Sequence, residues 1–111
     1  MDIAASRAGQ ALVLAVRDSR IDASVAIEFK ESVRVEAEAP GDPVILDLSR
    51  VTFLDSSGLG AVVAVMKLLA PERKLELAGL TGPVAKVFRL TRMDTVFTIH
   101  PQPPGALQAA G

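Results

Sequence analysis

The sequence predicts an α/β domain with a four- to five-stranded, mostly parallel sheet and three to four helices. Apolar runs typical of strands alternate along the chain with stretches of helical spacing. The 111 residues leave room for one domain, and half of them are apolar, which is enough for a modest core. Because strands and helices alternate, we expect right-handed crossovers between neighbouring strands.

The first half of the chain contains strand and helix patterns in succession. Residues 11–16 are a short apolar run that predicts a strand buried on both faces, and residues 1–6 precede it as a short edge strand. An amphipathic helix of about four turns follows, because apolar residues recur there at helical spacing. They are Val25, Phe29, Val33 and Ala37. Asp22 or Ser24 is expected to cap this helix, and residues 40–43 end it.

The second half repeats this alternation. Strands are predicted at residues 44–48, 74–78 and 95–99, and residues 49–55 form a connection. One helix runs from Ser57 to about residue 70 and is stopped by Pro71. A third helix has Thr81 as its cap and Pro83 in its first turn. We expect residues 1–99 to form the domain and residues 100–111 to be a flexible C-terminal tail.

Composition and charge exclude several classes of function. A net charge of −1 with scattered charged residues indicates no nucleic acid and no membrane as partner, so shape must govern recognition. The chain lacks cysteine, which fits a reducing, cytoplasmic setting, and its N-terminus is not that of a secretory signal. The longest apolar run, residues 59–66, is too short to span a bilayer.

The joint "FLDSSGLG", residues 53–60, lies between a predicted strand and a predicted helix. Asp55 and Ser56 can cap the helix, because a side-chain oxygen there accepts an unpaired backbone N–H. Gly58 and Gly60 each lower helix propensity by about 1 kcal/mol relative to alanine, so bulk is not tolerated there. Two interpretations stay open at this point: a capped helix that packs closely, or a functional hydroxyl.

The helix after the joint has an unusual composition. Residues 59–66, "LGAVVAVM", contain no polar side chain, although a helix that covers one face of a sheet should have a polar outer face. Either the third helix and the tail bury the second face, or that face is exposed for a partner.

Catalytic sites are poorly supported, so we do not expect an enzyme. The only histidine, His100, lies at the start of the predicted tail. Metal binding lacks ligands, since Asp42 and Asp47 better serve a turn and a strand end. The "GLG" of the joint has neither the spacing of a dinucleotide loop nor the lysine of a P-loop, and no cofactor is expected.

The run "VILDLSRVTFLDSSGLGAVVAVMKLL" resembles the STAS domain family, in particular the bacterial anti-sigma factor antagonists. An apolar strand, a D-L-S-x-V turn and an apolar-D-S-S-G-L-G joint occur in the family's order. "RIDASVAIEF" and "GPVAKVFRLTRMDTVFTI" extend the likeness over most of residues 10–99. The resemblance therefore implies a STAS-type single domain.

The resemblance also implies a regulatory function. In the family, the hydroxyl residue directly after the joint's aspartate is phosphorylated by a partner that is both anti-sigma factor and serine kinase of GHKL type. That residue is Ser56 here, with Ser57 as second choice, because Ser57 lies in the first helical turn and is expected to face inward. The unmodified form binds the kinase and releases the sigma factor, and a PPM-type serine phosphatase reverses the modification. The implied partner-binding residues are Asp22, Asp55, Ser56, Ser57, Gly58, Leu59 and Gly60.

The sequence departs from the family pattern at two loops. Ser19 stands where the family usually has glycine, and Arg92 and Met93 stand where it usually has glycine and leucine. The closing helix of the family is shortened or absent, since "PQPPG" follows the last predicted strand. Loop shape or partner choice can therefore differ at these places.

Two non-enzymatic functions remain. One is the phosphorylated switch of a partner-switching module. The alternative is a stand-alone STAS subunit of a lipid-transporting ABC complex, or the STAS domain of an anion transporter. The intact D-S-S-G-L-G joint favours the switch, and we expect a monomer when the chain is free.

Overall fold

The computed structural model describes residues 1–104, which form three α-helices and seven strands. The helices are α1 (Ala26–Glu36), α2 (Ser56–Leu69) and α3 (Gly82–Leu90). The strands are β1 (Ile3–Ala8), β2 (Ala11–Val16), β3 (Arg20–Ile21), β4 (Val44–Asp47), β5 (Phe53–Leu54), β6 (Leu75–Ala78) and β7 (Ile99–His100).

Five of the strands form the main sheet in the order β1-β2-β4-β6-β7. The hairpin β1–β2 is antiparallel, and all other pairs in this sheet are parallel. The predicted α/β fold with a mostly parallel sheet is thereby confirmed. Strands β3 and β5 form a separate two-stranded parallel sheet, although residues 49–55 were predicted to be a connection only.

The core lies between the helices and one face of the main sheet. Leu14, Leu46 and Leu77 project from three neighbouring strands into the same cluster as Phe29 of α1 and Phe88 of α3. A smaller cluster of Ala11, Val13, Ile45 and Ala78 lies on the opposite face of the sheet. Because side chains alternate along a strand, both faces of β2 are buried, as its apolar run predicts.

The last strand is shorter and later than predicted. Residues 95–99 were expected to form it, but Met93–Thr95 is a 3₁₀ turn, and β7 contains only residues 99 and 100. Phe97 is buried and packs edge-on against the ring of Phe88, with ring centroids 5.9 Å apart. The apolar character of this stretch thus comes from a core contact of α3 and not from a continuous ladder.

The predicted C-terminal tail begins within the last strand. His100, which was placed at the start of the tail, is the last residue of β7, and its Nε2 lies 2.7 Å from Oε1 of Glu76 on β6. Most of the predicted tail, residues 105–111, lies outside the described residues. The boundary between domain and tail stays a prediction.

Candidate functional site

The joint lies at the carboxyl edge of the parallel strands, where β5 passes into α2. Asp55 has an extended backbone and caps the helix, and its Oδ1 accepts a hydrogen bond of 2.8 Å from the backbone N–H of Gly58. Ser56 was expected at the cap but is the first helical residue. Its hydroxyl is therefore not needed for the cap, because the longer aspartate side chain already reaches the N–H of the third helical residue.

The second carboxylate oxygen of Asp55 connects the joint to a distant segment. Oδ2 accepts a hydrogen bond of 3.2 Å from the backbone N–H of Ala23, in the loop between β3 and α1. Asp55 therefore has a structural task that its position in the sequence does not reveal. It fixes the start of α2 against the loop that precedes α1.

That loop is itself organised by Asp22. Oδ1 of Asp22 accepts hydrogen bonds from the Ser24 hydroxyl at 2.6 Å and the Ser24 N–H at 3.1 Å, and Oδ2 accepts one from Arg20 Nε at 3.2 Å. The Ser24 hydroxyl, with further help from Arg20, holds the pKa of Asp22 below its ordinary value. Neither Asp22 nor Ser24 caps α1, which begins after Val25 without a side-chain cap. The two residues form a local turn instead.

Gly58 and Gly60 have different roles. A Cβ added to Gly58 would lie 2.0 Å from the carbonyl oxygen of Ile21 and 2.8 Å from Cδ1 of Leu54, so only glycine fits. A Cβ at Gly60 would meet no atom within 4 Å. The predicted close approach to the sheet is therefore correct for Gly58, which lets α2 lie against β3, whereas Gly60 approaches no part of this chain closely.

Both serines of the joint are exposed to solvent. Ser57 was expected to face inward, but the first turn of α2 turns its inner side toward β3 through Gly58 and leaves both hydroxyls outside. Burial therefore does not distinguish between Ser56 and Ser57 as acceptors of a phosphoryl group.

One side of the apolar stretch 59–66 packs against α1, a neighbour that the sequence did not indicate. Helix α1 packs along α2, whereas the two alternatives considered were burial by the third helix with the tail, or exposure. Ala61, Val62 and Val65 are buried, and Leu59, Val63 and Met66 are half-buried against the core. The half-buried residues keep part of this surface accessible next to the joint.

The predicted partner-binding residues thus lie together at one edge of the domain. Asp22, Asp55 and Gly58 are brought together by the loop contacts, and Ser56, Ser57, Leu59 and Gly60 continue along the start of α2. Sequence reasoning missed two neighbours. The guanidinium of Arg20 lies 4.1 Å from the ring centroid of Phe53, the first residue of the joint, which is 40% exposed. This pair therefore forms an exposed cation–π contact at the start of the joint.

Other kinds of site find little support in the residues that the structure describes. Between residues 1 and 104, no group of three or more histidine, cysteine, aspartate or glutamate side chains could hold a metal ion. None of the helices in this part of the chain is both long enough and apolar enough to cross a membrane.

Comparison with known proteins gives a consistent picture. A family model described as the STAS domain matches residues 2–106. An anti-sigma-B factor antagonist from Listeria monocytogenes is 32% identical over 80 residues, which cover 71% of this chain and 70% of that protein. The curated relative therefore matches well beyond the joint.

Solved structures share the fold. A crystal structure of an anti-sigma factor antagonist from Mycobacterium paratuberculosis has a TM-score of 0.79 and 26% identity, covering 97% of this chain and 92% of that one. A murine anion transporter of the solute carrier 26 family has a TM-score of 0.75 and 15% identity, covering 91% of this chain and 18% of that one. The second likeness concerns the fold alone.

Proposed function

Since the chain belongs to the STAS domain family, we propose that it is an anti-sigma factor antagonist in a partner-switching module. The unphosphorylated form binds an anti-sigma factor and thereby releases the sigma factor, and phosphorylation of Ser56 ends the binding. This is a binding role and not catalysis, in keeping with the name of the Listeria relative.

The observation that carries the proposal is the exposed hydroxyl of Ser56 beside a cap that does not depend on it. Asp55 uses both carboxylate oxygens for backbone N–H groups, so a kinase can modify Ser56 without removing a bond that holds the joint. A helix N-terminus also favours an added anion through its N–H groups and dipole. The fold should therefore tolerate the phosphate.

Phosphorylation acts on the surface and not on the fold. A phosphate adds about 1.5 to 2 negative charges and three acceptor oxygens, directly after the carboxylate of Asp55 and beside the half-buried Leu59. A partner that lies flush on this surface must desolvate that charge. Burying an unpaired charge costs several kcal/mol, so the modified form should dissociate.

The proposal includes specific partners. The anti-sigma factor is a serine kinase of GHKL type that modifies the protein it binds, and a PPM-type phosphatase removes the phosphate. The chain acts in the cytoplasm and is a monomer when free. Light scattering at high and low concentration tests the last point, and a stable dimer through α2 would contradict it.

Phosphate mapping tests the acceptor residue. Incubation with the kinase and ATP should add one phosphate to the chain, and peptide mapping should find it on Ser56. Ser57→Ala is the matched control, because this hydroxyl is also exposed and should be dispensable. Full labelling of Ser56→Ala, or label on Ser57, would refute the assignment.

Opposite substitutions at Ser56 test the switch itself. Ser56→Asp places a charge at the helix N-terminus, so the fold should survive or gain about 0.3 to 1 kcal/mol, while kinase affinity should fall by about tenfold or more, equal to about 1.4 kcal/mol. Ser56→Ala should keep binding and resist phosphorylation. Equal binding by both variants would contradict the switch.

The same pair of variants distinguishes the alternative function. A STAS subunit of a lipid-transporting ABC complex or of an anion transporter should give one phenotype for both variants. The likeness to the murine transporter does not favour that alternative, because it concerns the fold alone.

A further inference from the structure

A groove of about 640 Å³ runs between the start of β1 and the outer side of α1. We call it the α1 groove, and its apolar wall is formed by Met1, Ile3, Ile27 and Val35. Ile27 is 79% exposed and Val35 is 47% exposed, so Ile27 has the highest exposure among the large apolar side chains found exposed in the described part of the chain. Such a cluster of exposed apolar residues usually marks an interaction site.

The ionisable side chains that line the α1 groove are all acidic, and two of the three already have a cationic partner. Glu28, Glu31 and Glu36 line it, and no lysine or arginine belongs to the lining. Glu31 pairs with Arg34, which lies outside the lining, and the amino group of Met1 lies 3.4 Å from Glu28. The hydrogen bonds and charge of Arg34 hold the pKa of Glu31 below its ordinary value, so this carboxylate is ionised at neutral pH.

We propose that the α1 groove docks a lysine- or arginine-rich amphipathic helix of a partner protein. Ile27 and Val35 are eight positions apart, which corresponds to about two turns on one side of α1. A helix that lies along α1 presents apolar anchors at the same repeat, and its basic residues reach the three glutamates on the rim. Apolar contact and charge complementarity then act together.

A second copy of this chain fits the groove less well. Two α1 grooves placed face to face would bring three carboxylates against three others, with only the amino group of Met1 in each lining to offset them. Like charges in close contact disfavour such an interface. The charge of the lining therefore selects a basic partner over self-association.

The groove adjoins the phosphorylation joint without containing it. Ser24 lines the groove, and its hydroxyl donates a hydrogen bond to Asp22. The backbone N–H of the neighbouring Ala23 donates a hydrogen bond to Asp55. A partner held in the groove can therefore extend to the joint. The proposal does not depend on Ser56 or on its phosphorylation, because none of the residues of the joint lines the groove.

NMR titration of the isotope-labelled chain tests the proposal with a synthetic leucine–lysine peptide of about 14 residues, long enough to be helical when bound. Amide shifts should change along α1 and the start of β1, and the peptide should become helical. The matching leucine–glutamate peptide should not bind there, and raising the salt concentration should weaken the lysine peptide.

Variants decide whether the groove is the site. Ile27→Asp and Glu36→Lys should each weaken binding by about tenfold and leave thermal stability unchanged, because both residues lie at the surface of the groove. Leu90→Asp is the matched control, since Leu90 is 71% exposed on α3 and does not line the groove. Its affinity should equal that of the unmodified chain.

Several results would overturn the proposal. Shift changes spread over the whole surface, equal loss in Leu90→Asp, or equal binding of the acidic peptide would each show unspecific adhesion. A dimer that is lost in Ile27→Asp would show that a second copy covers the groove. None of these results bears on the phosphate mapping at Ser56, so the two proposals fail independently.

Discussion

At each end of the parallel strands, which we call the carboxyl edge and the amino edge, one charged side chain holds neighbouring loops by hydrogen bonds to backbone groups. The two edges differ in the side chains that remain exposed there. At the carboxyl edge, Asp55 accepts N–H groups from Gly58 and from Ala23, which is 32 residues away. At the amino edge, Arg73 donates from Nε to the Gly41 carbonyl at 2.8 Å, from Nη2 to the Ala39 carbonyl at 2.9 Å, and from Nη1 to the Ala37 carbonyl.

The difference lies in what remains after these bonds are made. The guanidinium of Arg73 is half-buried, and its donors are used by the loop after α1. Asp55 is followed by two exposed serines that the cap does not use. We infer that the amino edge serves stability alone, whereas the carboxyl edge serves stability and recognition, and the following variants test this division.

The largest effect is expected at Gly58, where the carboxyl edge is most crowded. Gly58→Ala forces a Cβ against the backbone oxygen of Ile21 and should destabilise the fold by about 3 kcal/mol. Gly60→Ala is the matched control, because its Cβ meets open space and alanine should raise stability by up to about 1 kcal/mol. Urea unfolding measures both, and similar small changes in the two variants would refute the close approach.

The second largest loss of stability is expected when the hydrogen bonds of Arg73 at the amino edge are removed. Arg73→Ala leaves three carbonyls without their charged donor and should lower the free energy of unfolding by about 2 kcal/mol. Lys86→Ala removes an exposed cation from α3 and should change it by less than about 0.5 kcal/mol. Affinity for the anti-sigma factor should stay unchanged in both. A loss of affinity in folded Arg73→Ala would break the proposed division between the edges.

A smaller loss of stability is expected at the capping aspartate. Asn has one acceptor oxygen in place of two, so Asp55→Asn can serve Gly58 or Ala23 but not both, and it should cost about 1 kcal/mol. Asp42→Asn is the control at the amino edge, where a single oxygen accepts the N–H of Lys74.

Calorimetry and the amide shifts of Ala23 and Gly58 measure the outcome at the carboxyl edge. Asp55→Asn should also weaken partner binding, whereas Asp42→Asn should not. Equal losses of stability in the two variants would show that the second bond of Asp55 contributes nothing.

The smallest effect, a gain, is expected at Arg92. This residue follows α3 with φ of 60°, a left-handed conformation that costs an ordinary L-residue about 1 to 2 kcal/mol. Glycine avoids that strain but loses more backbone entropy, so Arg92→Gly should stabilise the fold by a net amount of about 0.5 kcal/mol. Thermal unfolding measures it, and a destabilised variant would mean that the arginine side chain contributes a contact of its own.

Much of the fold followed from local pattern. The apolar run of β2, the helical spacing of α1 and the proline after α2 each depend on neighbours in the chain, so the three helices and the strands of the main sheet were predicted in the correct order, whereas the short strands β3 and β5 were not predicted. The sequence pattern gave a wrong prediction where apolar residues make a tertiary contact and do not belong to a strand. Phe97 fills a place beside Phe88, and the stretch around it was mistaken for a strand.

The features of the candidate site also fall into those that local sequence determines and those that tertiary contacts determine. The sequence by itself determined that an acid, two hydroxyls and a glycine stand at the start of a helix, because capping and helix propensity are local properties. Only the tertiary structure decided that Asp55 reaches Ala23, that Gly58 but not Gly60 is obligatory, and that Ser57 faces solvent. The physical reason is distance along the chain. Asp55 and Gly58 meet β3 and the loop after it, where Ala23 is 32 residues before Asp55, and no local pattern records which segments will meet.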